Sequence, residues 1–213
     1  MHCETYRKSR RSIEGASIPY ASILLRAARL CGAYQVMVLN VSDLLVLNSP
    51  INGLGVFAGR SFRMGDALLE IDDSRIVEDA HPLAPGDDPR HCDYLARKTV
   101  VLMQAPERHI NHSCDPNSYV QTVNGRRLLW ALRDIPAGEE VTYDYSINSD
   151  GETVWTCHCA AARCRHQIHS DYFHLPIQLQ LEYLPLLDDW FRQEKAVELK
   201  RLASQLPTLP SGT

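Results

Sequence analysis

The chain lacks the features that mark several protein classes. In its 213 residues no apolar run approaches the roughly 20 residues that a membrane-spanning helix needs. It also lacks internal repeats and low-complexity tracts, which excludes a repeat array. The content is 45% hydrophobic and 23% charged, as in ordinary globular proteins. The length predicts one domain with its own core, plus flanking segments.

The cysteines do not fit a disulfide framework. There are seven, an odd number; three form a Cys-x-Cys-x4-Cys cluster, whereas Cys3, Cys31 and Cys92 are scattered. A secretory signal is weakly supported, because Arg26 and Arg29 interrupt the only apolar stretch near the N-terminus. Clustered cysteines without such a signal predict a reduced compartment and a metal ion. We therefore expect an intracellular protein, cytoplasmic or, in a eukaryote, nuclear, that has no membrane partner.

The net charge of −4 is unevenly distributed. Residues 1–36 carry +4, from six basic and two acidic residues, and the remainder carries −8, from 16 basic and 24 acidic residues. An acidic body suits a basic, lysine-bearing protein substrate and argues against nucleic acid as a direct ligand. Ordinary solubility charge explains the same number equally well.

Residues 1–36 allow three interpretations. An export signal and an Arg-rich organelle-targeting peptide are two of them. We favour the third, an upstream extension of uncertain order, with the domain starting near Met37.

The middle of the chain predicts an all-β core. Short runs rich in β-branched and apolar residues alternate with turn signals at intervals of about 8–12 residues. The predicted strands cover residues 36–47, 56–58, 67–71, 99–103, 118–123, 126–132 and 140–145. Asn124-Gly125 between two of them is the strongest hairpin signal. From Leu179 to Leu202 the apolar residues follow a helical period instead, and Pro185 predicts a break or kink there.

Three motifs follow one another in this chain. Residues 111–117 read Asn-His-Ser-Cys-Asp-Pro-Asn, and residues 139–145 read Glu-Glu-Val-Thr-Tyr-Asp-Tyr. The third motif is Cys157-x-Cys159-x4-Cys164. In this order they resemble the SET-domain family, protein-lysine methyltransferases that use S-adenosylmethionine.

The resemblance covers roughly residues 46–173 and implies a fold. That fold is mainly β and β-clip-like, with several small sheets and a knot-like threaded C-terminal segment, here followed by a C-terminal helix. The implied organisation is an extension at 1–36, a SET domain at 37–150, a post-SET zinc segment at 151–175 and a helical region at 176–206.

Gly53 and Gly55 mark a candidate cofactor turn. Alternate glycines after a strand let a backbone approach a ligand closely, although most such pairs are simply turns. The third glycine and the helix of a dinucleotide fingerprint are missing. The resemblance makes Gly53-Leu54-Gly55 the turn that holds S-adenosylmethionine. It makes Asn111 and His112 the residues that hold the amino end, partly through backbone. Leu54 stands where the family often has an aromatic residue, so no stacking role is assigned to it.

Tyr143 and Tyr145 alternate in a predicted strand, so their side chains face the same side. Two aromatic residues in a core face would give the same pattern. The resemblance makes Tyr145 the catalytic tyrosine and Tyr143 the residue that tunes the number of methyl groups. Tyr119, eight residues after Asn111, is a third candidate for the channel. Tyrosine suits this role, because its ring lines an apolar channel and its hydroxyl orients an amine.

The cysteine cluster offers three thiolates, whereas a structural zinc site uses four ligands. Nearby histidines are candidates for the fourth: His158, His166, His169 and His174. The resemblance implies Cys114 instead, with one structural zinc ion joining the C-terminal segment to the cofactor loop. The family often has glycine at the position of His166, so we expect φ > 0 there at modest strain. The candidates to cover the adenine are Trp155, Ile168, Tyr172 and Phe173.

The resemblance thus implies an enzyme that transfers methyl from S-adenosylmethionine to a lysine amine of a histone-like or other basic protein. A methyltransferase acting on another amine is one alternative. A non-catalytic SET-like interaction module is the other, and the presence of Tyr145, Asn111 and His112 argues against it.

Overall fold

The computed structural model describes residues 43–204. The predicted extension at 1–36, the beginning of the strand predicted at 36–47 and residues 205–206 lie outside the described residues. The elements are β1 (Leu44–Asn48), β2 (Leu54–Ala58), β3 (Ala67–Glu70), β4 (Ile76–Val77), β5 (Cys92–Tyr94), β6 (Val100–Leu102), β7 (Asn111–His112), β8 (Ser118–Val123), β9 (Arg126–Ala131), β10 (Glu140–Tyr143), β11 (Asp150–Thr156), β12 (Gln167–Asp171), α1 (Ile177–Tyr183), α2 (Asp189–Glu194) and α3 (Ala196–Ala203).

The strands form small sheets, which confirms the predicted mainly β fold with C-terminal helices. The strand orders are β1-β2-β10-β7, β3-β9-β8, β4-β6-β5 and β11-β12. A 3-10 turn at Leu184–Leu186 separates α1 from α2, which confirms the break predicted at Pro185. Within residues 43–204, no helix combines the length and apolar character needed to cross a membrane.

A parallel pair brings two of the sequence motifs together. In β7 and β10, Asn111 is paired with Thr142 and His112 with Tyr143. The backbone N–H of Ser113 continues the contact by donating to the carbonyl of Tyr143 at 3.1 Å. The Asn-His-Ser-Cys loop therefore lies directly beside the strand that leads to Tyr145.

The hairpin predicted at Asn124-Gly125 is confirmed. These residues have φ of 53° and 75° and join β8 to β9, as the tight turns of two-residue hairpins require. β8 then presents alternate residues to different parts of the interior. Val120 packs against a first core cluster, formed largely by β2, β3, β9 and β10, whereas Tyr119 belongs to a second cluster.

The C-terminal helices build that second cluster. Tyr172, Tyr183 and Phe191 are fully buried in it and pack with Tyr119 and Ile147 from the β region. Burying aromatic side chains of this size contributes substantially to stability. The helical region is thus part of the core.

The structure differs from the predicted strands in several places. The short strands β4, β5 and β7 were not predicted, and several strand ends differ by one or two residues. β10 ends at Tyr143, two residues earlier than predicted, so Tyr145 follows the strand. β11 and β12 were not predicted, since β11 is polar and almost entirely exposed and shows no apolar alternation. This hairpin carries the cysteine segment between its strands, because Cys157, Cys159 and Cys164 lie in its loop.

Candidate active site

One side-chain amide holds the glycine turn against the Asn111 loop. Nδ2 of the buried Asn111 donates to the carbonyls of Asn52 at 3.2 Å and Leu54 at 3.0 Å, and to Oε1 of Glu140 at 2.8 Å. These bonds occupy both amide hydrogens of Asn111, and they leave Oδ1 as the acceptor that a ligand can use.

The glycines of this turn each have a structural reason. Gly53 has φ of +49°, a conformation that favours glycine. At Gly55 a Cβ would collide with the carboxylate of Glu140 and lie 2.9 Å from Cβ of Ser49. The hydroxyl of Ser49 donates to that carboxylate at 2.8 Å, so the obstacle is held in place. Close packing within the chain thus requires glycine at position 55.

Tyr143 and Tyr145 lie together, which confirms that they face one side. Their ring centroids are 4.8 Å apart. The hydroxyl of Tyr145 donates to the carbonyl of Ile110 at 2.6 Å, next to the Asn111 loop. Burial raises the pKa of both phenols, and the negative charge of Asp93 acts in the same direction. Both tyrosines are therefore neutral hydrogen-bond donors at physiological pH.

Both ring nitrogens of His112 have partners within the protein. Nδ1 accepts the backbone N–H of Tyr145 at 3.1 Å, and Nε2 lies 3.5 Å from Sγ of Cys114. An acceptor at Nδ1 assigns the proton of the neutral ring to Nε2, which then donates to the sulfur. Burial lowers the pKa of His112 to about 4, although the carboxylate of Asp144 opposes the shift. The ring is neutral, and only the backbone of His112 is available to a ligand.

Four cysteines converge at one point. Sγ atoms of Cys114, Cys157, Cys159 and Cys164 all lie within 4.8 Å of one another, and those of Cys114 and Cys157 are 3.8 Å apart. A tetrahedral zinc ion with Zn–S of about 2.3 Å places its sulfurs roughly 3.8 Å apart. Among residues 43–204 this is the one group that could hold a metal, and it contains no histidine. The residues present therefore fit zinc, with the ligand set that the resemblance implies.

Each of the four sulfurs also accepts a backbone N–H. The distances are 3.3 Å from Arg165 to Cys114, 3.5 Å from Cys159 to Cys157, 3.5 Å from Cys114 to Cys159 and 3.4 Å from His166 to Cys164. Such donors stabilise thiolates, the form that binds metal. His166 has φ of +63°, which confirms the expected strain at this turn.

The cysteine pKa values differ between positions. Burial raises the pKa of Cys114 to about 11 and raises that of Cys157 further. Burial acts in the same direction on Cys159, but amide donation from Cys114 and Ala161 lowers its pKa to about 7. A bound divalent cation favours the thiolate at all four positions.

Comparison with known proteins matches the central part of the chain. Residues 53–146 match the family model described as the SET domain. This stretch includes the glycine turn, the Asn111 loop and the tyrosine pair, and it is similar to SET domains.

Curated relatives of this chain are named as histone-lysine N-methyltransferases. The Drosophila melanogaster protein Set2 is 32% identical over 133 residues, which are 56% of this chain and 6% of that protein. ATX1 of Arabidopsis thaliana, a histone H3-lysine(4) N-trimethyltransferase, is 35% identical over 137 residues, 55% of this chain and 12% of that protein. The H3 lysine-4 specific enzyme of Saccharomyces cerevisiae is 47% identical over 135 residues, 55% of this chain and 12% of that protein. The match thus spans about a tenth of these relatives.

Solved structures were also matched. A crystal structure of KRYPTONITE in complex with mCHG DNA and SAH is 24% identical, with a TM-score of 0.46, and the match covers 58% of this chain and 28% of that one. A putative histone methyltransferase of Plasmodium falciparum is 19% identical, with a TM-score of 0.40, covering 48% and 92%.

The structure brings most of the predicted site residues together, and it places Tyr119 in a different hydrophobic cluster from Tyr143. Tyr119 packs in the second cluster with Ile147 and Tyr172, while Val120 and Tyr143 both pack on the first. Because side chains alternate along β8, Tyr119 and Val120 face opposite sides of the strand. The channel role of Tyr119 stays a prediction.

The four candidates to cover the adenine also lie in different clusters. The ring of Trp155 lies 5.6 Å from that of His112 and 6.0 Å from that of Tyr145, beside the cysteines. Ile168 is buried in that cysteine cluster. Tyr172 and Phe173 pack with the C-terminal helices instead. Trp155 is therefore the candidate whose ring reaches the site.

Several charged residues of the candidate site were missed by the sequence analysis. Arg127 is buried near Tyr143, with Nη1 2.7 Å from Asp93 and Nη2 3.1 Å from Asp73. Glu140, which fixes the glycine turn, stands inside a motif that was singled out for its tyrosines. A charged residue in an otherwise apolar strand is the signal that was available.

Proposed function

We propose that this chain transfers a methyl group from S-adenosylmethionine to the side-chain amine of a protein lysine. The observation that carries the proposal is the tyrosine pair, 4.8 Å apart and fixed beside the Asn111-His112 loop. The activity for which the curated relatives are named supports the same reaction.

The tyrosines address the main chemical difficulty. A lysine amine has a reference pKa of about 10.4, yet only its neutral form is a nucleophile. Rings of Tyr143 and Tyr145 surround the amine with apolar surface, and this loss of hydration favours the neutral form. The hydroxyl of Tyr145 is anchored on the carbonyl of Ile110, so it presents fixed oxygen lone pairs to the amine. The fixed hydroxyl also sets the direction from which the amine approaches the methyl group. This alignment lowers the entropic cost of the reaction.

The cofactor would lie between the glycine turn and the Asn111 loop. When bound, S-adenosylmethionine supplies a methyl group activated by its sulfonium. Oδ1 of Asn111 is the free acceptor of an amide whose hydrogens are already used, so it suits an ammonium group. The carboxylate of Glu140 lies 2.8 Å from that amide and adds negative charge where the cofactor is positive. Gly53, Leu54, Gly55 and the backbone of His112 complete the proposed contacts.

A single zinc ion is proposed for the four cysteines. It would hold the β11–β12 hairpin loop against Cys114, three residues after Asn111. The spacing of the sulfurs and the four amide donors support this assignment. Its role is structural, since four protein ligands leave no open position for a substrate.

The substrate class is proposed to be a histone-like or other basic protein. The acidic charge of the chain outside residues 1–36 supports this class, and so do the names of the relatives.

The test is the substitution Tyr145→Phe, with Tyr94→Phe as the matched control. Tyr94 is 65% exposed, so removing its hydroxyl should leave the rate unchanged. Methylation of a histone peptide panel, followed by mass spectrometry, should slow at least tenfold in Tyr145→Phe. Cofactor affinity by calorimetry should stay within threefold of the wild type.

Two results would count against the proposal. Wild-type turnover in Tyr145→Phe removes Tyr145 from the mechanism. A wild-type protein that binds no S-adenosylmethionine favours the non-catalytic interaction module.

A further inference from the structure

A buried ion pair lies between the cysteine segment and the tyrosine pair. Asp144 stands between Tyr143 and Tyr145 in sequence and is fully buried, with 0% exposure. Arg165, which directly follows Cys164, donates to both carboxylate oxygens of Asp144, at 2.7 and 2.9 Å. Such a two-bond contact fixes both the distance and the plane of the carboxylate.

Asp144 depends on this one arginine for its charge balance. Its Oδ1 also accepts the backbone N–H of Ser146 at 3.0 Å, a neutral donor. Nδ1 of His112 lies 3.6 Å away, but this nitrogen accepts the backbone N–H of Tyr145. Within residues 43–204, Arg165 is the only permanently charged side chain that forms an ion pair with this carboxylate. A buried carboxylate that loses its cation must move or take up a proton.

Arg165 also contacts the cysteine cluster directly. Its backbone N–H donates to Sγ of Cys114 at 3.3 Å. A second connection runs from the same sulfur through His112 to the backbone N–H of Tyr145. Two short paths thus link one sulfur to the peptide units that carry the tyrosines.

We propose that Arg165 is a positioning residue for methyl transfer. Its ion pair with Asp144 keeps Tyr143 and Tyr145 in a fixed position relative to the cysteine segment. The inference rests on the proposed function. The physical reason is that transfer requires alignment to within a fraction of an ångström, and Asp144 lies in the same short backbone segment as both tyrosines. Arg165 acts without touching the substrate.

The primary experiment compares Arg165→Met with Arg163→Met. Arg163 lies in the same segment and contacts the carbonyl of Cys114 at 3.0 Å and Glu182 at 2.8 Å, but not Asp144. Arg165→Met should lower kcat at least 20-fold, while KM for the cofactor and the zinc content of one equivalent remain unchanged. Arg163→Met should keep kcat within threefold. A parallel fall of kcat, cofactor affinity and zinc content in Arg165→Met would overturn the inference, since it would indicate general loss of structure.

Rescue provides the second readout. In Arg165→Met the further change Asp144→Asn removes the unpaired charge, and it should recover kcat at least fivefold. Arg165→Lys keeps the charge without the two-bond geometry, so its kcat should lie between those of the wild type and Arg165→Met. Failure of both rescues would overturn the inference.

A third readout does not depend on activity. Hydrogen exchange of the Tyr145 amide, which donates to His112, should accelerate at least tenfold in zinc-bound Arg165→Met but not in Arg163→Met. If the wild type shows no methyltransferase activity but this acceleration occurs, the proposed function fails and the structural link stands. If the wild type is active and Arg165→Met changes neither kcat nor exchange, the inference fails and the function stands.

Discussion

The two sides of the candidate site are held by different forces. On the glycine side, Asn111 and Ser49 donate to the carbonyl of Leu54 and to the partly exposed carboxylate of Glu140. They hold a turn whose Leu54 is 43% exposed. On the cysteine side, Cys114 and Asp144 are both fully buried, among thiols and a buried ion pair.

This difference determines how far a perturbation should spread. Bonds to backbone carbonyls tolerate changes of neighbouring side chains, so damage on the glycine side should stay local. Thiolates and buried charges depend on their partners, and losing one partner leaves the others unstable. Asn111 belongs to the glycine side, and Cys114, three residues later, belongs to the cysteine side. The loop 111–114 is therefore where the comparison is best tested.

The largest effect is expected for Cys114→Ser. Serine is a poor zinc ligand, so the zinc content should fall below 0.2 equivalents, against one equivalent in the wild type. The hairpin of β11 and β12, whose first cysteine lies 43 residues after Cys114, should loosen in hydrogen exchange, because its loop loses the shared ion. Cofactor affinity should fall at least tenfold, about 1.4 kcal/mol, since the Asn111 loop loosens as well.

Cys92→Ser is the control for that variant. Cys92 is a free thiol in β5, outside the cysteine cluster, and its substitution should keep both zinc and affinity. A Cys114→Ser protein that keeps its zinc and its affinity would show that a local histidine is the fourth ligand.

A smaller and more local effect is expected for Gly55→Ala. The new methyl group collides with the Glu140 carboxylate and pushes the turn away from Asn111. Cofactor affinity should fall about tenfold by calorimetry, whereas the zinc content should remain one equivalent.

The matched variant is Gly53→Ala, where a Cβ meets no atom within 4 Å but φ is +49°. It should lower thermal stability slightly and affinity by less than Gly55→Ala, because left-handed backbone costs alanine roughly 1 kcal/mol. Zinc loss in either variant would contradict the separation of the two sides.

The sequence predicted the glycine side better than the cysteine side. The strand predicted at 56–58 on that side lies within β2. The role of Tyr119 stays a prediction, because a shift of one residue in a strand reverses the side that a side chain faces. Asp144 and Arg165 are 21 residues apart, and no local pattern announces that such residues will pair.

The cysteine side shows a second limit. β11 is exposed at most positions and carries no apolar alternation, so its strand character arises from pairing with β12 alone. The ligand set was implied by family resemblance, while residue spacing alone left the fourth ligand open. Short motifs thus identify the class of reaction. The contacts that position the reacting side chains form only in the folded chain.

The smallest effect on rate, and the sharpest on product, is expected for Tyr143→Phe. The variant removes one hydroxyl from the crowded end of the pair, 4.8 Å from the ring of Tyr145, and leaves both rings in place. The space gained admits a bulkier methylated amine, so turnover should stay within threefold and di- or trimethylated peptide should increase. Intact-mass measurements over a time course record both quantities. Tyr145→Phe provides the contrast, since it should slow transfer without changing the product distribution. An unchanged distribution in Tyr143→Phe would mean that another residue limits the methyl number, and Val120, which packs on the same core cluster as Tyr143, would be the next to substitute.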